Sequence, residues 1–167
     1  MANLIHQNAG TALTWADSGG DYALTFAGMA TVTGRQGATH DFGVAAVAAR
    51  FAWQCMVHFD TTNAPVVDEM VHIYLKTSPD GTNWDNDDGE GDIAVSNVNK
   101  LKNLHYLGSI IVDEAAVDVP MQKSGVVWIV AKEIAPVVWN ATADKLDDDT
   151  PPTNSKFILT PYPMEIQ

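Results

Sequence analysis

Apolar side chains alternate with smaller or polar ones along several segments of the chain, most clearly between residues 50 and 59. Every second residue of that segment is large or apolar: Phe51, Trp53, Cys55, Val57 and Phe59. A helix would scatter these side chains around its axis, whereas successive residues of a β-strand point to opposite faces. The segment therefore predicts a strand that buries one face.

Further strands are predicted by the same period of two, or by a short apolar run between turn-forming residues. The alternating segments lie at residues 22–33, 69–77, 104–112 and 156–160. The apolar run at residues 126–130 is typical of a strand buried on both faces, which would place Trp128 in the core. Residues 136–149 begin with proline and end in several aspartates, so we expect a loop that carries Trp139.

The predicted elements are six or seven strands, turn signals between them and at most one short helix. They indicate an all-β fold with long loops, an antiparallel β-sandwich of jelly-roll or immunoglobulin-like type, the jelly roll being preferred. Residues 1–20 are small and polar, so we expect an extended N-terminal arm with one short strand around Leu13 and Trp15. Residues 21–167 are then expected to form a single domain.

The composition suits one packed domain and disfavours several classes of partner. Hydrophobic residues make up 46% of the 167 positions, enough for a core without disulfides or structural metals. The formal net charge is -12 and the chain has only nine Lys and Arg residues, which disfavours contacts with nucleic-acid phosphates and with anionic membranes. We therefore expect no nucleic-acid partner and no membrane partner.

Cysteine usage and the N-terminal sequence point to folding in a cytoplasm. Cys55 is the one cysteine in the sequence, so no internal disulfide can form. The first eight residues show neither the basic nor the apolar region of a signal peptide. No window approaches 18 apolar residues, so no membrane-spanning helix is expected.

The acidic segment at residues 80–92 is the first candidate for chemistry. Its oxygen atoms suit a hard cation such as calcium, and the candidate ligands are Asp80, Asp85, Asp87 and Asp88. The EF-hand template requires Gly at its sixth position, whereas Gly89 is seventh when counted from Asn83. The preferred interpretation is a solvated loop extended by its own like charges, with no metal or cofactor, and calcium binding is the alternative.

Catalytic motifs are missing from the sequence. There is no G-x-S-x-G elbow and no phosphate-binding G-x-x-x-x-G-K or G-x-G-x-x-G loop. The five histidines lack H-x-H and H-E-x-x-H spacing, although His58 and His72 lie on neighbouring predicted strands and form a candidate pair. Cys55 falls on the apolar face of the strand at 50–59, as an inert core residue does. The sequence therefore predicts a protein that is not an enzyme.

Aromatic and apolar side chains in the arm and the loops are candidates for contact with another molecule. Aromatic residues are enriched in interface cores, and exposed ones stack on sugars. The residues predicted to contact a partner or a second copy are Leu4, Ile5, Trp15, Trp84, Trp139 and Tyr162. In a carbohydrate-binding module, Trp84 and Trp139 would be the platforms for the sugar.

Three segments resemble parts of structural proteins of tailed bacteriophages. The first is Ile-Tyr-Leu-Lys-Thr-Ser-Pro-Asp-Gly-Thr-Asn-Trp at residues 73–84, which is similar to a strand and turn in those proteins. The others are residues 104–110 and 157–163. The S-x-D-G-x-x-W pattern of the first segment also occurs in unrelated β-sandwiches, including carbohydrate-binding ones.

This resemblance implies a small virion protein, and a capsid decoration (cement) protein is the first choice. Such proteins bind the exterior of the phage head and stabilise it, often as trimers. The implied partners are the major capsid protein and further copies of this chain, as a homotrimer. The implied location is the virion, assembled in the host cytoplasm. A carbohydrate- or receptor-binding module associated with a tail or fibre is the alternative function, and an enzyme built on a jelly roll is the third.

Overall fold

The computed structural model describes residues 5–7, 9–43, 46–86, 90–117, 119–146, 155–162 and 164–166, with only the backbone for 5–7 and 164–166. In these residues the chain forms thirteen strands and one short 3-10 helix. The prediction of an all-β fold is confirmed. No helix of the described part is long and apolar enough to cross a membrane.

In chain order the strands are β1 Ile5–Gln7, β2 Leu13–Ala16, β3 Tyr22–Ala23, β4 Thr33–Gln36, β5 His40–Asp41, β6 Val47–Val57, β7 Met70–Ser78, β8 Ile93–Val95, β9 His105–Ile111, β10 Met121–Ala131, β11 Glu133–Asn140, β12 Lys156–Tyr162 and β13 Met164–Ile166. The 3-10 helix spans Val98–Leu101, between β8 and β9.

The strands form two large sheets and one small ribbon. The five-stranded sheet has the order β10-β6-β12-β2-β3, and its neighbours are antiparallel except for the parallel pair β2 and β3. The six-stranded sheet has the order β8-β4-β11-β7-β9, with β5 also paired to β11. The ribbon pairs β1 with β13.

One hydrophobic core is shared by the two large sheets, which therefore pack on each other as layers. From the face that the alternation predicts to be buried, β6 contributes Phe51, Trp53, Cys55 and Val57. From the other sheet, β7 contributes Val71, Ile73 and Leu75. These side chains belong to one buried cluster. The two sheets thus form a β-sandwich-like fold, as the sequence predicts.

β10 differs from the expected strand buried on both faces. It lies at the edge of the five-stranded sheet, where β6 is its hydrogen-bonded neighbour. Its inward side chains Ile129 and Ala131 are buried, but Trp128 is 55% exposed, so the prediction of Trp128 in the core is wrong. An apolar run without alternation does not reveal which faces of a strand are covered.

β11 is the strand that is buried throughout, in a segment predicted to be a loop. All eight of its residues are buried, so the loop prediction is wrong for residues 136–140. Pro136 is tolerated because its missing N–H falls between β5, which pairs up to Ile134, and β4, which pairs from Val137. The Pro136 carbonyl accepts a hydrogen bond from the Gly37 N–H at 2.8 Å.

The short strand expected around Leu13 and Trp15 is present as β2, which pairs with β12 in the five-stranded sheet. Trp15 is 0% exposed, and its ring centroid lies 5.1 Å from that of Tyr22 and 5.9 Å from that of Phe157. Its indole N–H donates a hydrogen bond to the Ala38 carbonyl at 2.6 Å. Trp15 therefore anchors β2 in the core.

Trp53 closes the side of the sandwich where edge strands of the two sheets meet. A Cβ atom at Gly125 of β10 would lie 2.9 Å from the Trp53 ring, and one at Gly108 of β9 would lie 3.3 Å from it. The indole therefore fills the space that a side chain at either glycine would need. β9 and β10, which belong to different sheets, meet over this one ring.

Candidate functional site

The outer face of the five-stranded sheet carries an apolar strip that the described chain leaves uncovered. We define the β10 strip as Val126, Trp128 and Val130, which are 63%, 55% and 58% exposed. Alternate side chains of β10 point away from the core, and these three follow one another on the outward face. Single exposed apolar residues are normal, but a contiguous exposed row indicates a contact surface.

The strip continues across the sheet as a row of three large side chains. Trp128 stands opposite Arg50 of β6, and Arg50 stands opposite Tyr162 of β12. The Arg50 guanidinium carbon lies 5.9 Å from the centroid of the Tyr162 ring, within the range of a cation–π interaction. Alanines of β6 stand opposite the two valines of the strip, so the side chains of β6 on either side of the row are short.

On this outer face, strands β10, β6 and β12 carry no carboxylate, although the chain has 21 Asp and Glu residues. The outward side chains on β10, β6 and β12 are Gln122, Ser124, Val126, Trp128, Val130, Ala48, Arg50, Ala52, Gln54, Met56, Lys156, Ile158, Thr160 and Tyr162. Among these described residues Arg50 and Lys156 are the charged ones. A partner that docks on these three strands therefore meets no carboxylate from the strands themselves, although the chain has a net charge of -12.

The calcium candidate Asp80 organises the turn after β7. Its Oδ1 accepts hydrogen bonds from the backbone N–H groups of Thr82 and Asn83, at 2.8 and 2.7 Å, and from the Ser78 hydroxyl at 3.2 Å. Its Oδ2 accepts one from the Asn83 amide at 2.6 Å. These bonds, above all those from Asn83, hold the pKa of Asp80 well below its usual range. Both carboxylate oxygens therefore stabilise the turn.

The calcium candidate Asp85 also bonds to its own chain. Its Oδ2 accepts hydrogen bonds from the Thr77 backbone N–H at 2.9 Å and from the Thr77 hydroxyl at 2.7 Å. Asp87 and Asp88 lie outside the described residues. In the part of the chain that the structure describes, no group of three or more His, Cys, Asp or Glu side chains is placed to hold a metal ion.

Trp84 lines an open pocket of about 700 Å³ between the turn after β7 and the segment that contains the 3-10 helix. The other lining residues are Thr82, Asn83, Asp85, Asn86, Asn97, Asn99, Lys100 and Asn103. The ammonium of Lys76, which is 0% exposed, lies 4.4 Å from the centroid of the Trp84 ring. We call this space the Trp84 pocket.

The other predicted contact residues lie in different surroundings. Tyr162 belongs to the row on the outer face of the five-stranded sheet. Trp15 and Trp139 are 0% and 4% exposed, so these two side chains, which the sequence predicts to contact a partner, are covered by the chain itself. Leu4 lies outside the described residues, and Ile5 is described only through the pairing of β1 with β13.

The sequence pattern does not reveal the β10 strip, because its residues belong to an unbroken apolar run. The available signal lies just before that run. Gln122, Lys123 and Ser124 are polar and exposed and belong to the same strand, which is unusual for a strand buried on both faces.

The histidine and cysteine candidates lie in separate surroundings in the described chain. His58 follows β6 in the five-stranded sheet, whereas His72 lies on β7 in the six-stranded sheet. The His72 ring nitrogen Nδ1 shares a hydrogen bond of 2.7 Å with the Ser109 hydroxyl, and burial lowers the pKa of His72. Cys55 is 0% exposed, and burial raises the pKa of its thiol, so the unreactive protonated form is favoured.

Two surfaces of the described chain thus combine accessible aromatic side chains with a defined geometry. The outer face around the β10 strip suits contact with a protein surface, because an exposed apolar row lies beside the large side chains of Arg50 and Tyr162. The Trp84 pocket suits a small polar ligand, because it is concave and lined by amides. Comparison of the sequence with known protein families and with curated proteins finds no match.

Proposed function

We propose that this protein is a non-enzymatic structural subunit of a tailed-phage particle, located in the virion and assembled in the host cytoplasm. In this proposal it decorates the exterior of the head, binds the major capsid protein and stabilises the shell. The resemblance of residues 73–84, 104–110 and 157–163 to phage structural proteins supports this assignment.

The observation that carries the proposal is the β10 strip, with three large apolar side chains 55–63% exposed on one edge strand. Full burial of one such side chain contributes about 1.5–3 kcal/mol. The adjoining row consists of Trp128, Arg50 and Tyr162, and Trp, Arg and Tyr are the residue types that dominate binding energy in protein interfaces. A subunit that docks on a preformed shell needs this kind of surface.

The jelly-roll-like topology and the homotrimer belong to the same proposal. Successive strands from β9 to β12 change sheet at each connection, as strands of a jelly roll do. A homotrimer would present three copies of the outer face at once, so that weak single contacts add up to firm attachment. Sedimentation velocity of the purified protein measures this state directly.

The test uses phage heads that lack this protein, mixed with purified wild-type or variant protein and then sedimented. The variant combines Val126→Ser, Trp128→Ser and Val130→Ser, which remove the strip without opening the core. We expect wild-type protein to sediment with the heads and to raise the temperature at which they break. We expect the triple variant to bind at least about 100-fold more weakly, a loss of about 2.7 kcal/mol.

The matched control is Ile111→Ser, on β9 of the other sheet, where Ile111 is 53% exposed. This variant should bind heads as wild-type protein does, because it removes a similar exposed side chain outside the strip. Circular dichroism of all variants checks that they are folded. Wild-type protein that stays in the supernatant, or a triple variant that binds with wild-type affinity, would show the proposal to be wrong.

A further inference from the structure

The Trp84 pocket lies apart from the β10 strip, and its composition indicates a second role. Its lining comes from two separate segments, residues 82–86 after β7 and residues 97–103 around the 3-10 helix. Around Trp84 these segments place five asparagines together with Thr82, Asp85 and Lys100. An open pocket that combines one aromatic side chain with several amides offers both a stacking surface and hydrogen-bonding groups to a small polar ligand.

The Trp84 ring is held in position by the chain beneath it. The Lys76 ammonium lies 4.4 Å from the ring centroid and donates a hydrogen bond to Gln36 Oε1 at 3.1 Å. Lys76 is 0% exposed and does not line the pocket, so the indole, and not the ammonium, borders the pocket. The pocket therefore has an aromatic wall that is supported from within the chain by a buried cation.

Amide groups around the ring supply both donors and acceptors. The side-chain N–H of Asn83 donates a hydrogen bond to Asp80 Oδ2 at 2.6 Å. The backbone N–H of Asn99 donates one to Asn97 Oδ1 at 2.9 Å. These two side chains are thus each fixed at one end. Within the described part of the chain, the side-chain amides of Asn99 and Asn103 make no hydrogen bond. Each of these two amides can both donate to and accept from a ligand.

From these features we infer that the Trp84 pocket binds an uncharged saccharide, with one sugar ring stacked on the indole and its hydroxyls bonded to the asparagine amides. Sugar rings have an apolar C–H face, which matches an aromatic wall, and hydroxyls that donate and accept, which match amides. The lining charges of Lys100 and Asp85 are opposite, and the chain carries a net charge of -12. An anionic sugar would be repelled, so the ligand class is neutral.

The test is calorimetric titration of the full chain with maltotriose, mannotriose, chitotriose and lactose, with the anionic sialyllactose for comparison. We expect saturable binding of at least one neutral sugar, with a dissociation constant between about 10 μM and 1 mM. Trp84→Ala should weaken that binding at least tenfold. The matched control Trp128→Ala removes the exposed tryptophan of the β10 strip and should leave sugar binding unchanged.

The double variant N99A and N103A tests the pocket without replacing Trp84, whose substitution could also disturb folding. Both asparagines are exposed, and their side chains make no hydrogen bond in the described chain. The double variant should weaken binding at least threefold with an unchanged melting temperature. The inference is overturned if none of the four neutral sugars binds up to about 10 mM, if only sialyllactose binds, or if both pocket variants bind as wild-type protein does. Head sedimentation with Trp84→Ala tests the two roles separately, since decoration should be unaffected.

Discussion

Trp128 of β10 and Arg50 of β6 are direct cross-strand partners on the outer face of the five-stranded sheet. Trp128 is 55% exposed in this arrangement, so more than half of its surface stays in contact with water when the chain folds. We expect Trp128→Ala to change the free energy of unfolding by less than about 1 kcal/mol. Urea denaturation followed by circular dichroism measures this change.

Trp15 gives the opposite expectation for the same substitution. It is 0% exposed and packs between Tyr22 and Phe157. Trp15→Ala should lower the free energy of unfolding by about 3–5 kcal/mol, because it leaves a cavity and an unpaired carbonyl at Ala38. Equal losses for Trp15→Ala and Trp128→Ala would contradict the burial on which the assignment of the outer face depends.

Gly125 tests the closure of the sandwich by Trp53. A methyl group at this position would lie 2.9 Å from the indole, so the ring has to shift. We expect Gly125→Ala to lower the free energy of unfolding by about 1–3 kcal/mol, the usual cost of overpacking. Ser124→Ala, on the exposed neighbouring residue of the same strand, is the control and should stay within about 0.5 kcal/mol of wild type.

Asp60 gives a test in the acid range. A hydrogen bond from the Thr62 hydroxyl at 2.6 Å, one from the Thr62 N–H at 2.6 Å and the Lys145 ammonium at 2.9 Å lower the pKa of Asp60 to about 2. When folding lowers the pKa of a carboxyl group, its ionised form stabilises the folded state. This stabilisation is fully present at pH values above the pKa of the group in the unfolded chain, which is near 3.9 for Asp. This contribution is lost as the pH falls from about 4 to about 2.

We therefore expect wild-type protein to lose stability more steeply between about pH 4 and pH 2 than Asp60→Asn does, because the variant has no carboxyl to protonate at this position. Chemical denaturation at a series of pH values gives both slopes. Parallel slopes would show that Asp60 does not have its low pKa in the folded chain.

Cys55 provides a measure of how tightly the two sheets are packed. Its thiol is 0% exposed, and burial raises its pKa, so the reactive thiolate is disfavoured. We expect a thiol reagent such as DTNB to label native protein at least about 100-fold more slowly than protein in guanidinium chloride. Rapid labelling of the native protein would indicate that β6 is not covered as described.

The sequence predicts the layers of this fold better than their edges. Strict alternation identified the buried face of β6, because the period of a strand is a local property of the chain. It could not distinguish β10 from β11, because whether an apolar strand lies at the centre or at the edge of a sheet depends on distant partners. Pro136 added to the error, since proline is tolerated in β11 only because β4 and β5 leave a gap opposite it.

Among the candidate sites, too, features set by local sequence can be predicted and features set by distant contacts cannot. The turn chemistry around Asp80 is local, and its acceptor role follows from the short sequence Ser-Pro-Asp-Gly-Thr-Asn. The β10 strip depends on which strand ends a sheet. The Trp84 pocket depends on the approach of residues 97–103 to a turn that lies about fifteen residues earlier in the chain, which no short pattern encodes.

The position of β12 determines when the five-stranded sheet can form during synthesis. β12 lies between β6 and β2, and its Phe157 stands opposite Trp15 and Cys55. A nascent chain that has not yet released residues 156–162 from the ribosome therefore lacks the strand that joins β2 to β6. Until then β6 lacks one of its two hydrogen-bonded neighbours, so the unfinished chain exposes an unpaired strand edge and apolar core side chains to chaperones and to other nascent chains.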